Sequence, residues 1–192
     1  EAIVQYISAK TVKNEVEIIE KYGVRLKTIS PNYYPFLTSL IEQIAYLMGE
    51  DILVIGILYK GNKLEDELLN TFEANTKRII NQFDIIVDIN NKLNTETNQE
   101  KIKIYQEEIT AMYIDTQNKI FSTFFEKTLP KLTTCQEVDY YMDKAVCYRS
   151  VMGVSTQERF LFGSFYDIKL EELISKYEKK KVQICKKRDS NT

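Results

Sequence analysis

NKLEDELLNTFEANTKRIINQFDIIVDINNKL, residues 62–93, and TNQEKIKIYQEEITAMYIDTQNKIFSTFFEK, residues 97–127, decide the fold class. In the first stretch Leu64, Leu68, Phe72, Ile79, Phe83, Ile86 and Leu93 keep the spacing of one helix face. Asn62-Lys-Leu-Glu65 reads as the capping box that opens it, and Asn75 is a single polar interruption of the stripe. In the second, Ile102, Tyr105, Ile109, Met112, Ile120 and Phe124 lie behind a further box, Thr97-Asn-Gln-Glu100, and Pro130 stands just past the end. Two such helices joined by a short turn predict an antiparallel hairpin roughly 45 Å long, at about 1.5 Å of rise per residue.

Towards the N-terminus, Val4, Ile7, Val12, Val16 and Ile19 predict one helix from about Ala2 to Tyr22, with Gly23 as its terminating glycine. Ser30-Pro31-Asn32 marks a turn. Leu37, Leu40, Ile41, Ile44, Leu47 and Met48 predict a second helix from Tyr34 to Leu58, broken near Gly49, whose last part, Ile52–Tyr59, is apolar all round and reads as a buried helix. Towards the C-terminus, Thr134-Cys-Gln-Glu137 and Ser155-Thr-Gln-Glu158 are two more capping boxes, and a final helix is expected from about Asp167 to Lys187. The expected fold is therefore all-α: an elongated bundle built on the long hairpin (residues 1–132), with a smaller C-terminal helical unit (133–192) packed on it. The seam falls at Leu129–Thr133, and one continuous domain is the alternative.

Composition supports a packed core and restricts the chemistry. Hydrophobic residues make up 44% of the chain, enough for a core, and six glycines with three prolines are too few for the turns of an all-β protein. There is no histidine, which excludes Ser-His-Asp and Cys-His constellations, zincin helices and Glu-x-x-His iron sites. A net charge of -2 gives no electrostatic case for nucleic acid. The most apolar run, Ile52–Tyr59, is far short of a membrane span. Gly56 and Gly61 lack the spacing of a phosphate-binding loop. The pairs Glu65/Glu67, Glu107/Glu108 and Glu171/Glu172 read as solvated helix faces, and the lysines near the C-terminus as a favourable helix end. No metal site and no cofactor are expected.

Cys135, Cys147 and Cys185 are the three cysteines. If the last helices pack antiparallel, Cys135 and Cys185 meet at one end and Cys147 faces the other, so a Cys135–Cys185 disulfide is expected in an oxidising compartment. Three small buried hydrophobes in a reducing cytosol are the alternative. The odd third cysteine argues against a disulfide framework.

The aromatic cluster Phe160, Phe162, Phe165 and Tyr166 lies beside Gly163 in a segment too short to bury every ring, which suggests a partner surface. The functional expectation is a non-catalytic protein-binding helical protein, exported by a bacterium to the periplasm or beyond, such as an immunity or inhibitor protein or an envelope adaptor. Its partner is another protein, and a cytoplasmic location is the alternative. A second expectation is a ligand-sensing bundle with Tyr105, Tyr113 and Asn75 lining a polar pocket. A His-independent enzyme is the third.

Overall fold

The computed structural model describes residues 2–12, 15–58, 63–156 and 162–189. Among these the chain is mostly helical, with a small three-stranded sheet. In chain order the elements are α1 (Ala2–Thr11), β1 (Glu17–Lys21), β2 (Val24–Thr28), α2 (Pro35–Met48), α3 (Glu50–Leu58), α4 (Lys63–Phe72), α5 (Asn75–Thr95), α6 (Gln99–Thr128), α7 (Cys135–Cys147), β3 (Val154–Ser155) and α8 (Phe162–Asp189). Among the described residues no helix is long and apolar enough to cross a membrane.

The first departure from the sequence reading is at the N-terminus. The expected helix over Ala2–Tyr22 stops at Thr11, and the rest is a β-hairpin pairing Glu17 with Thr28 and Lys21 with Val24. Tyr22 and Gly23, with φ of 50° and 76°, form its two-residue turn, and left-handed backbone at both positions matches the strand twist. Gly23 is thus a hairpin residue rather than a helix terminator. On β2 the side chains alternate: Val24, Leu26 and Thr28 are buried, while Arg25 is exposed. The period of two prevails because this face rests on α2, where Tyr22 stacks against Phe36 at 6.1 Å.

The central helix is α2, with Phe36, Leu37, Leu40, Ile41, Ile44 and Leu47 all buried. Gly49, at φ 96°, separates it from α3, as the sequence suggested. The long helix expected from Asn62 to Leu93 is interrupted instead: Glu73 adopts φ 47°, and a turn at Glu73-Ala74 divides α4 from α5. Asn75 thereby opens α5, and its side-chain amide donates to Thr123 Oγ1 at 3.0 Å. Further along, Gln82 meets Asp115 and Lys92 lies over the Tyr105 ring, so α5 and α6 run against each other.

The cap of α6 is Asn98 and not Thr97. Its Oδ1 accepts from the Glu100 and Lys101 amides at 3.0 and 3.2 Å, while the Glu96 carboxylate takes the Thr97 and Asn98 amides. The Thr134 capping box forms in both directions. Ser155 belongs to β3, whereas Asn62 and Glu158 lie outside the described residues.

The last third joins the rest through sheet pairing, side-chain hydrogen bonds and ring packing. β3 pairs with β2 at Val24–Ser155 and Arg25–Val154, and the Thr156 amide donates to the Gly23 carbonyl at 2.8 Å. The Tyr177 hydroxyl donates to the Phe125 carbonyl. At the centre a buried polar network links α2, α6 and the segment after α7. Tyr148 donates to Gln43 Oε1 at 2.6 Å, and Gln43 Nε2 donates to Gln117 Oε1 and to the Tyr113 hydroxyl. Ser39 also meets that hydroxyl at 3.0 Å, and Gln117 exchanges two bonds with the backbone of Gly153. Each of these polar side chains finds partners, which is what allows them to stay out of water.

Candidate functional site

Where α1 meets α3, spacings of three and four residues bring two half-apolar faces together. α1 contributes Tyr6, Ile7, Lys10 and Thr11, and α3 contributes Glu50, Leu53 and Val54. Between them is an open cleft of about 390 Å³. Its walls are mainly carbon and its polar groups gather at one place. Tyr6 donates its hydroxyl to Glu50 Oε1 at 3.2 Å, Lys10 pairs with the same oxygen, and the Lys10 ammonium lies 5.5 Å from the Tyr6 ring centroid. Val54 on the wall is partly exposed, and Val4, one turn before Ile7 on α1, is 54% exposed.

Opposed electrostatic effects act here. The hydrogen bond from Lys10 holds the Glu50 carboxyl below the ordinary carboxylate range. Glu42, on α2 nearby, is pushed the other way by burial, which outweighs the attraction of Lys10 and Lys27. Its Oε2 is buried with no hydrogen-bond partner. Burial, reinforced by Glu50 and Glu42, raises the Tyr6 phenol well above its usual value. The combination suits an apolar group entering the cleft with a hydrogen-bonding or charged edge turned towards the Lys10–Glu50 pair. Among the described residues no three His, Cys, Asp or Glu side chains converge as a metal site would require.

The residues singled out from the sequence lie elsewhere. Phe160 is outside the described residues; Phe162 opens α8 and Phe165 lies in its first turn. Tyr166 turns inward. It is 1% exposed, donates to the Ala145 carbonyl at 2.8 Å and packs against Phe121 at 5.0 Å. Tyr105, Tyr113 and Asn75 are dispersed: one under Lys92, one in the central network, one on Thr123. Cys135 and Cys185 do come together, with sulfurs 2.6 Å apart, and Cys147 is exposed at the other end of α7. The cleft residues carry no sequence signal of their own: Tyr6 and Lys10 belong to no motif, and Leu53 is part of the apolar run Ile52–Tyr59. Gln43, Gln117 and Gly153 were equally silent. No protein-family model, curated protein or solved structure matches the chain.

Proposed function

We propose that this chain is a non-catalytic binding protein, exported by a bacterium, that seats an apolar side chain of a protein partner in the α1–α3 cleft. An immunity or inhibitor protein, or an adaptor of an envelope machine, works in this way. The observation that carries the reading is the cleft itself: open, carbon-lined, walled in part by the exposed Val54, and bearing the Lys10–Glu50 ion pair. Interface pockets that take an anchoring side chain share that make-up, an apolar seat with a small polar margin. In this reading the scaffold is an elongated bundle built on the α5–α6 hairpin, with residues 133–192 as a smaller unit packed on residues 1–132. The Phe162 and Phe165 region is the competing partner surface.

The test is affinity purification from the native host with the full chain, the Val4→Asp and Val54→Asp variants, and a Phe162→Ala/Phe165→Ala variant, each matched for thermal stability. The proposal expects a partner held by the parent and by the phenylalanine variant and lost from both valine variants. Retention by both valine variants overturns it. A second reading, ligand sensing, is favoured by the cleft volume, which is within the range of about 300–1,000 Å³ typical of small-molecule sites. A small molecule that raises the melting temperature of the parent but not of Val54→Asp selects this reading.

A further inference from the structure

Along the contact between α7 and α8, two cross-links stand one helical turn apart. Cys135 faces Cys185, with sulfurs 2.6 Å apart. Four residues further along α7 and four residues back along α8, Asp139 receives Lys181 through both carboxylate oxygens, at 2.5 and 2.7 Å. Arg149 and Asp167 pair near the opposite end. Val138 and Ala145 of α7 and Leu173 and Tyr177 of α8 are buried in the core, and the exposed ion pairs fit the same register that sets the thiols against each other. The thiols also differ in access: Cys185 is exposed and Cys135 is half-buried. Cys135 stands in the first turn of α7, where the helix dipole favours an anion. On balance its thiol ionises above the ordinary value, chiefly because of the adjoining Cys185 thiol, and Lys181 opposes that rise only in part.

We infer that Cys135 and Cys185 form a redox site, a dithiol that exchanges with low-molecular-weight or protein disulfides and, once oxidised, staples the last turns of α8 to the start of α7. The balance is that of two successive exchanges. The exposed Cys185 thiolate attacks one sulfur of the external disulfide and expels the first thiolate. Cys135, deprotonated to solvent, then attacks the Cys185 sulfur of the mixed disulfide and expels the second. The protein loses two hydrogens, and the external disulfide is reduced to two thiols. Cys147, with neither cysteine beside it, stops at the mixed disulfide.

The experiment uses the full chain and oxidised glutathione. After complete reduction and removal of reductant, the folded protein is incubated with the disulfide, acid-quenched, denatured and mapped by mass spectrometry. The expected product has a Cys135–Cys185 cross-linked peptide and glutathione only on Cys147. In Cys135→Ser or Cys185→Ser the surviving partner carries glutathione, which shows that it is reachable. Glutathione on both Cys135 and Cys185 of the parent chain, or both thiols still free, overturns the proposal. In a Cys147→Ser background, reduction of the bridge lowers the melting temperature by about 10 °C, from the entropy of a loop of about 50 residues. Equal melting temperatures in the two states overturn the stapling role.

Discussion

Gly153 lies directly against the ring of Tyr113. A Cβ at position 153 would meet the phenol hydroxyl and stand 2.6 and 2.8 Å from ring atoms Cε1 and Cζ. Both residues are buried, and Gly153 is held in place by Gln117 through its own N–H and carbonyl. The ring cannot retreat either, because Phe36 packs on it at 5.0 Å and its hydroxyl is engaged by Ser39 and Gln43. Gly153→Ala is therefore expected to destabilise the protein by about 2–3 kcal/mol, as overpacking of a closed site does. Tyr113→Phe in the same chain will not rescue it, since the ring carbons clash as well as the oxygen. Urea denaturation of the single and double variants measures both; full rescue would show that the hydroxyl alone sets the constraint.

Glu42 gives a pH dependence whose sign can be worked out. Burial raises its carboxyl in the folded state, so as pH rises the unfolded chain ionises first. Below the unfolded value, about 4.3 for a free glutamate, both states are protonated and its contribution to stability is intact. The contribution is lost as pH rises from there through the folded value. Glu42→Gln should thus stabilise the protein at pH 7, by on the order of 1 kcal/mol, because no unpartnered charge is then buried. The gain should vanish near pH 4. Thermal melts of parent and variant across that range test it, and an equal gain at both ends would exclude ionisation as its source.

Asn98 carries the start of the 30-residue helix α6 with two backbone bonds. Asn98→Ala is expected to cost about 1 kcal/mol, and Thr97→Ala, whose side chain plays no part in the cap, much less. The two midpoints in urea decide which residue is the cap.

Tyrosine ionisation should report the integrity of the core. Tyr113 is pushed up to about 12 by burial, which its hydrogen bonds only partly offset, and Tyr148 is raised well above 10 by burial and by its neighbours Tyr113 and Tyr166. Each raised phenol contributes stability below pH 10 that is lost as pH climbs towards its folded value. Ultraviolet titration should therefore show exposed tyrosines ionising gradually near pH 10, then a cooperative step that coincides with loss of helical circular dichroism. A single smooth titration around 10 with the helices intact would mean that these rings are not buried as described.

How far the sequence disclosed this architecture depended on where each signal is encoded. The helical class, the interruption at Gly49 and the Thr134 box were legible because each rests on adjacent residues of one element. The hairpin at Glu17–Thr28 was not. Val16 and Ile19 satisfy the helical period, and only contact with Phe36 and the rest of α2 settles the choice for strands. The turn at Glu73-Ala74 contains neither glycine nor proline, so nothing local announces the left-handed Glu73. The cleft was invisible for a related reason: Tyr6 and Glu50 come 44 positions apart and share a site only after α1, α2 and α3 have packed. The meeting of Cys135 with Cys185 could be anticipated because it follows from two helix ends and one antiparallel turn.

The sheet and the buried network also impose an order on synthesis. The Gln43 side chain meets Tyr148 only 105 positions later, and β2 waits still longer for β3. At the usual pace of about 5–20 residues per second, a ribosome takes on the order of ten seconds to supply the missing groups. Throughout that interval the polar positions of α2 lack their last partners, and its apolar face is only partly covered. The native state becomes reachable only once β3 and the Tyr166–Tyr177 stretch of α8 have also cleared the exit tunnel.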